Sequence, residues 1–210
     1  MTNNRPQFSV IYDFETFSTD RTKAAIACVA GLRFDMDRFL SDNPYTFSGL
    51  LQNTQFMKFE VGRQVTDYHR TVSKDTLDWW REKPYQIQEQ LIEPSKSNDR
   101  PIEQFVTFMK ELIPNEDLVD NVFTRGNTFD PIIKDFLLED LQSQPIYPYW
   151  KDRDTRSFID GLTYGSDMKN SFLVPGLEEV FVVHDPRHDI CMDVMRLQHV
   201  IRILNDLGVD

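Results

Sequence analysis

Hydrophobic and polar positions follow a strand-like pattern in the first third of the chain and a helical pattern afterwards. Residues 8–12 form an apolar, β-branched run, residues 24–34 form a longer one, and residues 54–61 alternate more loosely. Runs of this length and composition predict three β-strands that follow one another as a meander. From about residue 73, apolar side chains recur every three or four positions, which predicts helices.

The second part of the chain is predicted to alternate between helices and short strands. Helices are expected on either side of Pro84, from Pro101 to about residue 112, over residues 129–137 and 155–162, and from Pro186 towards Leu207. Short strands are expected over residues 118–123 and near residues 147–150. This order predicts an α/β protein with a mixed central β-sheet flanked by helices. No internal repeat or Gly/Ser linker interrupts it, so residues 1–210 are expected to form a single domain.

The composition argues against some classes of binding partner. Lys and Arg number 23 against 34 Asp and Glu, and the net charge of −11 argues against a basic surface that coats DNA or anionic lipid. No run approaches the roughly 20 apolar residues of a membrane span, and the polar residues 1–6 lack the layout of a secretion signal. We therefore expect a cytoplasmic protein without a membrane partner. Cys28 and Cys191 lie in apolar stretches and are expected to be buried thiols.

Asp13 and Glu15 are the sharpest local feature of the sequence. They follow an apolar strand, and residues two apart in a strand project to the same side. Two neighbouring carboxylates repel each other, and a hard cation such as Mg²⁺ or Mn²⁺ would relieve that repulsion. The alternatives are a solvated strand end or a pair bound by arginine.

Asp130 is the second candidate, between a predicted strand and a predicted helix. It could cap the helix that begins with Pro131. It could also join the other acids, because side chains at the carboxyl edge of a sheet converge on one cleft. The two interpretations are compatible.

Two histidine–aspartate pairs with the same spacing surround the start of the last helix. Asp185 can cap that helix, which places Asp189 in its first turn and His184 just outside it. A histidine and an acid at one helix start suit a general base beside a metal ligand. His188 with Asp193 has the same spacing. We prefer His184 with Asp189, because this choice keeps the histidine in the loop.

Two further segments could contact a polyanion. The segment from Thr76 to Trp80 offers two tryptophans that could stack on bases, although a core position is expected for at least one of them. Arg153 and Arg156 flank a predicted helix start and could bind phosphate or pair with internal acids.

Taken in order, these motifs resemble the DnaQ-like family of 3′→5′ exonucleases with four acids and a histidine. Asp13-Phe14-Glu15-Thr16 resembles the first motif, Asn127-Thr128-Phe129-Asp130 the second, and His184 with Asp189 the third. Three further segments resemble the phage exonuclease A branch and related ribonucleases, and they start at Ala24, Thr76 and Arg153. The resemblance covers nearly the whole chain and implies a ribonuclease-H-like fold.

The resemblance also implies a two-metal mechanism. Four acids, Asp13, Glu15, Asp130 and Asp189, would hold two Mg²⁺ or Mn²⁺ ions ~4 Å apart, and His184 would take a proton from water. Each cycle would release a 5′-mononucleotide from a 3′ end.

The same resemblance suggests contacts with the substrate. Phe17 could wedge against the terminal base, the backbone groups of Thr16 and Phe17 could grip the terminal sugar, and Asn127 is a third candidate contact. Core packing is the alternative for Phe17.

We take DNA 3′ ends as the expected substrate and retain two alternatives. The first is an exoribonuclease of the same family, since contacts to the 2′-hydroxyl cannot be read from the sequence. The second is a catalytically idle, acidic interaction protein whose surface mimics nucleic acid. If phage-encoded, the enzyme would act in the host cytoplasm.

Overall fold

A five-stranded mixed sheet forms the centre of the computed structural model, which describes residues 7–208. The strands are β1 (Phe8–Thr16), β2 (Ile26–Phe34), β3 (Gln55–Lys58), β4 (Val119–Thr124) and β5 (Asp152–Asp154), in the spatial order β3-β2-β1-β4-β5. β1, β2 and β3 are antiparallel neighbours, whereas β4 and β5 run parallel to β1. The predicted meander and mixed sheet are confirmed. Residues 1–6, on which the expectation of no secretion signal rests, lie outside the described part.

Eight helices surround the sheet in the described residues. They are α1 (Phe47–Gln52), α2 (Val61–Tyr68), α3 (Lys74–Arg81), α4 (Tyr85–Ile87), α5 (Gln104–Leu112), α6 (Asp130–Asp140), α7 (Thr155–Leu162) and α8 (Pro186–Asp206). A π-helical turn over Gln88–Ile92 continues α4. Within residues 7–208, no helix is both long and apolar enough to cross a membrane.

Two sequence predictions were wrong in position, and two helices were not predicted. The strand expected near residues 147–150 is a 3₁₀ turn, and the strand follows it as the three residues of β5. The helix expected from Pro101 begins at Gln104, because residues 101–103 form a turn. The short helices α1 and α2 were not predicted. The segments of β5, α1 and α2 are too short to establish a periodic pattern, and periodicity does not fix the first residue of α5.

Alternation along β1 separates the two faces of the sheet. Tyr12 and Phe14 point into an apolar cluster with α5 and α6, whereas Ile11 points into a second cluster with α8. By the two-residue period of a strand, Asp13 and Glu15 share the face of Ile11. The strand therefore aims both carboxylates at the side of the sheet that α8 covers.

Close packing fixes the rest of the core. A Cβ on Gly31 of β2 would lie 2.6 Å from a methyl carbon of Leu112, so only glycine lets α5 approach the sheet at this point. Cys28 and Cys191 are free, buried thiols, as predicted.

Candidate active site

Asp130 reaches β1 from the start of α6. The helix begins at Asp130 itself, and no side chain caps it, so the predicted capping role for Asp130 is wrong. Its carboxylate instead accepts a hydrogen bond of 3.2 Å from the backbone N–H of Phe14. Because Phe14 lies between Asp13 and Glu15, this bond holds Asp130 beside both acids.

The start of α8 brings the third motif to the same place. Asp185 caps the helix by accepting a hydrogen bond from the Arg187 N–H at 3.0 Å, and Asp189 lies in the first turn, as predicted. His184 precedes the cap in a left-handed backbone conformation with φ of 65°. Ligand atoms of Glu15, His184 and Asp189 all lie within 4.8 Å of one another. Residues 15 and 189 are thus joined by tertiary packing alone.

The second histidine–aspartate pair has different surroundings. His188 accepts a hydrogen bond from the Val182 N–H at 3.2 Å and packs on the ring of Phe47. Asp193 is 1% exposed. It accepts hydrogen bonds from Arg125 and Arg196 at 2.6 Å each and from the Thr155 hydroxyl at 2.7 Å.

Both members of that pair already have protein partners. Among the described residues, His184 and Asp189 form the cluster of possible metal ligands with Glu15, and His188 and Asp193 are not part of it.

Burial and mutual repulsion make the ionised forms of these four carboxylates unfavourable. Burial, followed by the charges of neighbouring acids, raises the pKa of Asp13 and of Glu15 well above their ordinary values. Burial is also the main cause that raises the pKa of Asp130 and of Asp189 to about 7.

Cationic side chains offset this cost only in part and without a direct ion pair. The charge of Arg156 lowers the pKa of Asp130, and the charges of Arg196 and Arg125 lower that of Asp189. Among residues 7–208, no Lys, Arg or His nitrogen lies within 4.0 Å of any of these four carboxylates.

A cavity of about 650 Å³ contains these groups. Its floor is formed by the ends of β1 and β4 and by the starts of α6 and α8. Its wall includes four side chains from the segment between α7 and α8, namely Ser171, Leu173, Phe181 and Val183, and three arginines, namely Arg125, Arg156 and Arg196.

The guanidinium groups of Arg125 and Arg196 also bind the backbone of this wall. They donate to the carbonyl oxygens of Asn170, Ser171 and Phe172. Asp193 therefore ties α8 to the wall through these two arginines.

His184 is held at the rim by aromatic packing. Its ring lies edge-to-face with that of Trp79, with 4.8 Å between the ring centroids. The ammonium of Lys83 lies over the Trp79 ring, 3.7 Å from its centroid. Burial and then the charge of Lys83 lower the pKa of His184. The imidazole is therefore neutral near pH 7 and able to accept a proton.

Phe17, one of the predicted substrate contacts, lies in the core. Phe17 is 5% exposed and packs with Trp80, Ile87 and Leu91. Its N–H donates to the Ala25 carbonyl, and its own carbonyl accepts from the Ser73 N–H. A wedge needs an exposed side chain, so the wedge role was wrong and Phe17 is part of the core. The grip predicted for its backbone groups fails too, because both are occupied.

Thr16 and Asn127 differ in exposure. Thr16 is buried, and its carbonyl accepts a hydrogen bond from the Trp80 indole at 3.0 Å. Asn127 is exposed, and its neighbours Gly126 and Thr128 line the cavity.

The candidate tryptophans differ in exposure, and the candidate arginines differ in whether they line the cavity. Trp80 is a core residue, whereas Trp79 is 37% exposed beside His184. Arg153 donates to the carbonyl oxygens of Trp150 and Asp152 and does not line the cavity, whereas Arg156 does.

Sequence reasoning missed the partners of Asp193. Arg125 and Thr155 are 68 and 38 residues away from it in the chain, and neither belongs to a periodic pattern. The one available signal was local, because Arg196 lies one turn after Asp193 on the predicted helix.

The arrangement of these residues is typical of the DnaQ-like exonucleases. It combines paired acids on the first strand, an acid at the start of the helix after a parallel strand, and a histidine with an acid at the start of the last helix. A family model described as the 3′-5′ exoribonuclease Rv2179c-like domain matches residues 9–182. The chain belongs to this family. The exodeoxyribonuclease of Enterobacteria phage T4 is 27% identical over 212 residues, which cover 93% of this chain and 89% of the phage protein.

Solved structures of exonuclease I share the fold. The zinc-bound complex of Escherichia coli exonuclease I with single-stranded DNA superposes with a TM-score of 0.59 at 13% identity, over 96% of this chain and 41% of that one. Exonuclease I from Methylocaldum szegediense gives a TM-score of 0.56 at 15% identity, over 95% and 40%. The chain thus spans about two-fifths of these structures.

The expected ribonuclease-H-like fold is confirmed, and the protein is a 3′→5′ exonuclease of the DnaQ-like family.

Proposed function

We propose that this exonuclease removes 5′-mononucleotides from the 3′ ends of single-stranded DNA, acting in the cytoplasm as one domain over residues 1–210. The observation that carries the proposal is the group of four carboxylates and one histidine in a cavity where, among residues 7–208, no Lys, Arg or His forms an ion pair with these acids. Asp13, Glu15, Asp130 and Asp189 would bind metal, and His184 would be the general base, which makes the enzyme DEDDh type.

The donor set fits two hard divalent cations. Carboxylate oxygens are the ligands that Mg²⁺ and Mn²⁺ prefer, and bound cations would offset the repulsion that raises the pKa values of these acids. When bound, the ions would activate a water molecule and stabilise the departing 3′ oxygen. The N–H of Phe14 orients the Asp130 carboxylate before any ion arrives.

His184 would accept the proton of the attacking water. Its lowered pKa keeps the imidazole neutral near pH 7, and its ring has no hydrogen-bond partner in the part of the chain that the structure describes. The contact with Trp79 limits rotation of the ring. Asn127, exposed beside the cavity, is the predicted substrate contact that a strand can reach. Thr16 is buried next to Glu15, and we propose no direct contact between its side chain and the substrate.

DNA is proposed over RNA on two grounds. The phage T4 relative is an exodeoxyribonuclease, and the E. coli exonuclease I complex contains single-stranded DNA. The family description names an exoribonuclease, which keeps RNA as the second candidate. DNA and RNA oligonucleotides of identical sequence, each labelled at the 5′ end and compared in one buffer, decide between them. Faster shortening of RNA would overturn the substrate assignment.

The site assignment is tested by conservative substitution. With Mg²⁺, Asp13→Asn should reduce the cleavage rate roughly a thousandfold, because it removes a charged ligand that several kcal/mol of transition-state stabilisation depend on. Asp120→Asn, at an exposed position of β4, is the matched control and should retain full activity. An active Asp13→Asn enzyme, or wild-type activity that survives a chelator, would refute the metal site.

The two histidines are compared in the same assay. His184→Ala should abolish cleavage, whereas His188→Ala should retain most of it, because His188 contacts Val182 and Phe47 away from the acids. Loss of activity in His188→Ala alone would show that the other histidine is the base. An idle interaction protein would show no cleavage and no thermal stabilisation by Mn²⁺.

A further inference from the structure

Arg156 differs from the two other arginines that line the cavity. Arg125 and Arg196 both donate to the carboxylate of Asp193 at 2.6 Å and to carbonyl oxygens of the cavity wall. The guanidinium of Arg156 has no hydrogen bond or ion pair with any residue between 7 and 208. It is therefore the cationic group of the cavity that remains available to a ligand.

The acids nearest to Arg156 along α7 are bound to other groups. The carboxylate of Asp154 caps the helix and accepts from the Arg156 N–H and the Ser157 hydroxyl. The carboxylate of Asp160, one turn later, accepts two hydrogen bonds of 2.9 Å from the side chain of Asn170. Asp160 lies four positions after Arg156, a spacing at which two side chains of a helix can form an ion pair, but this pair does not form.

The guanidinium lies close to the loop that leads into α6 and Asp130. One of its nitrogens is 3.5 Å from the position that a Cβ on Gly126 would occupy, and Gly126 has a left-handed φ of 124°. Its positive charge acts on Asp130 by lowering the pKa that burial has raised. No carboxylate oxygen of residues 7–208 lies within 4.0 Å of it, so Arg156 is near Asp130 without being bound to it.

We propose that Arg156 binds the phosphate of the 3′-terminal nucleotide, the group that becomes the 5′-phosphate of the product. This inference rests on the proposed function and assigns the residue that recognises the scissile phosphate from the α7 side of the cavity, next to Asp130. A guanidinium presents a planar array of N–H donors that matches two oxygens of a phosphate. The carboxylates cannot bind that phosphate directly, because like charges repel.

The product itself is the probe. Binding of deoxyadenosine 5′-monophosphate and of deoxyadenosine is measured calorimetrically at one Mn²⁺ concentration, and adenosine 5′-monophosphate and adenosine are measured alongside. Arg156→Gln should weaken binding of the monophosphates about tenfold or more and leave the nucleosides unchanged, which corresponds to the loss of one charge-assisted contact. Arg156→Lys should recover only part of the loss, because an ammonium lacks the planar donor pair.

Arg153→Gln is the matched control. It removes the same charge from β5, three residues earlier, where the guanidinium binds backbone carbonyl oxygens outside the cavity, so monophosphate affinity should not change. Equal affinities of wild type and Arg156→Gln for the monophosphates would overturn the proposal, and so would a loss that the nucleosides share.

The same variant separates this proposal from the proposed function. If wild-type protein degrades oligonucleotides while Arg156→Gln binds the monophosphates normally, only the role of Arg156 fails. If wild-type protein neither degrades nucleic acid nor binds monophosphates, both proposals fail together.

Discussion

Asp189 and Asp193 lie one turn apart on α8, and replacing each by asparagine should have different effects on the stability of the metal-free protein. Both residues are aspartates near the start of one helix, and each has a histidine five positions before it. Their partners differ, because Asp193 binds two arginines and Asp189 binds none in the described chain. The change that each substitution causes in the free energy of unfolding should therefore distinguish an acid with a structural role from an acid that is a proposed metal ligand.

For Asp193→Asn we expect a loss of about 3 kcal/mol. Breaking a buried ion pair from one side typically costs about 3–5 kcal/mol, because an uncompensated charge is left behind. The lower end applies because Arg125 and Arg196 keep their bonds to the carbonyl oxygens of residues 170–172. For a chain of this length, such a loss lowers Tm by roughly 6–12 °C.

For Asp189→Asn we expect no loss, or a gain, at pH 8. Burial raises the folded-state pKa of Asp189 to about 7, above its ordinary value near 4. Between these values the folded protein holds a proton that the unfolded chain has released, so stability falls as pH rises through that window. At pH 8 the full penalty is present, and the neutral amide removes it.

Thermal unfolding followed by circular dichroism at pH 8 with a chelator, then with Mn²⁺, measures both effects. Asp193→Asn should melt early yet keep an upward shift with Mn²⁺, whereas Asp189→Asn should melt normally and lose most of that shift. Equal destabilisation by the two substitutions would refute the electrostatic argument. Loss of the Mn²⁺ shift in Asp193→Asn alone would assign the metal ligand to Asp193.

Three further outcomes are expected. The wild-type metal-free protein should melt at a lower temperature at pH 8 than at pH 5, because four acids with raised pKa values must ionise in the folded state; a higher melting temperature at pH 8 would contradict the burial of the cluster. Gly126→Ala should cost about 1–3 kcal/mol in denaturant unfolding because φ is 124°, while Gly62→Ala, in a helix with open space around it, should be neutral or stabilising. Without metal, a filter-binding assay should show weak affinity for long duplex DNA, since the net charge is −11, and tight binding would count against a local, metal-bridged contact.

Elements with a sustained pattern were predictable from the sequence. The apolar runs of β1 and β2 and the 21 residues of α8 each contain enough repeats of their period to identify the element. Short elements were not, and β5 shows the reason. Its three residues are all charged, and they form a strand because β4 offers an edge to pair with.

The candidate acids could be proposed from local sequence, because their chemistry is local. Asp13 and Glu15 share a face by the period of a strand, and the order of the motifs along the chain resembled one family. Their partners could not be proposed in this way. The hydrogen bond from Phe14 to Asp130 joins residues 116 apart in the chain, and the aromatic contact of His184 with Trp79 joins two distant segments.

By itself, the sequence determined the strand and helix order, the acids at the strand ends and the capped start of α8, because periodicity and capping depend on near neighbours. Only the tertiary structure brought His184 and Asp189 into one cluster with Glu15 and placed Phe17 in the core. It also left the guanidinium of Arg156 without a partner among residues 7–208, whereas Arg125 and Arg196 bind Asp193. Those outcomes depend on which charged and apolar groups packing brings within a few ångströms, and no spacing along the chain encodes that.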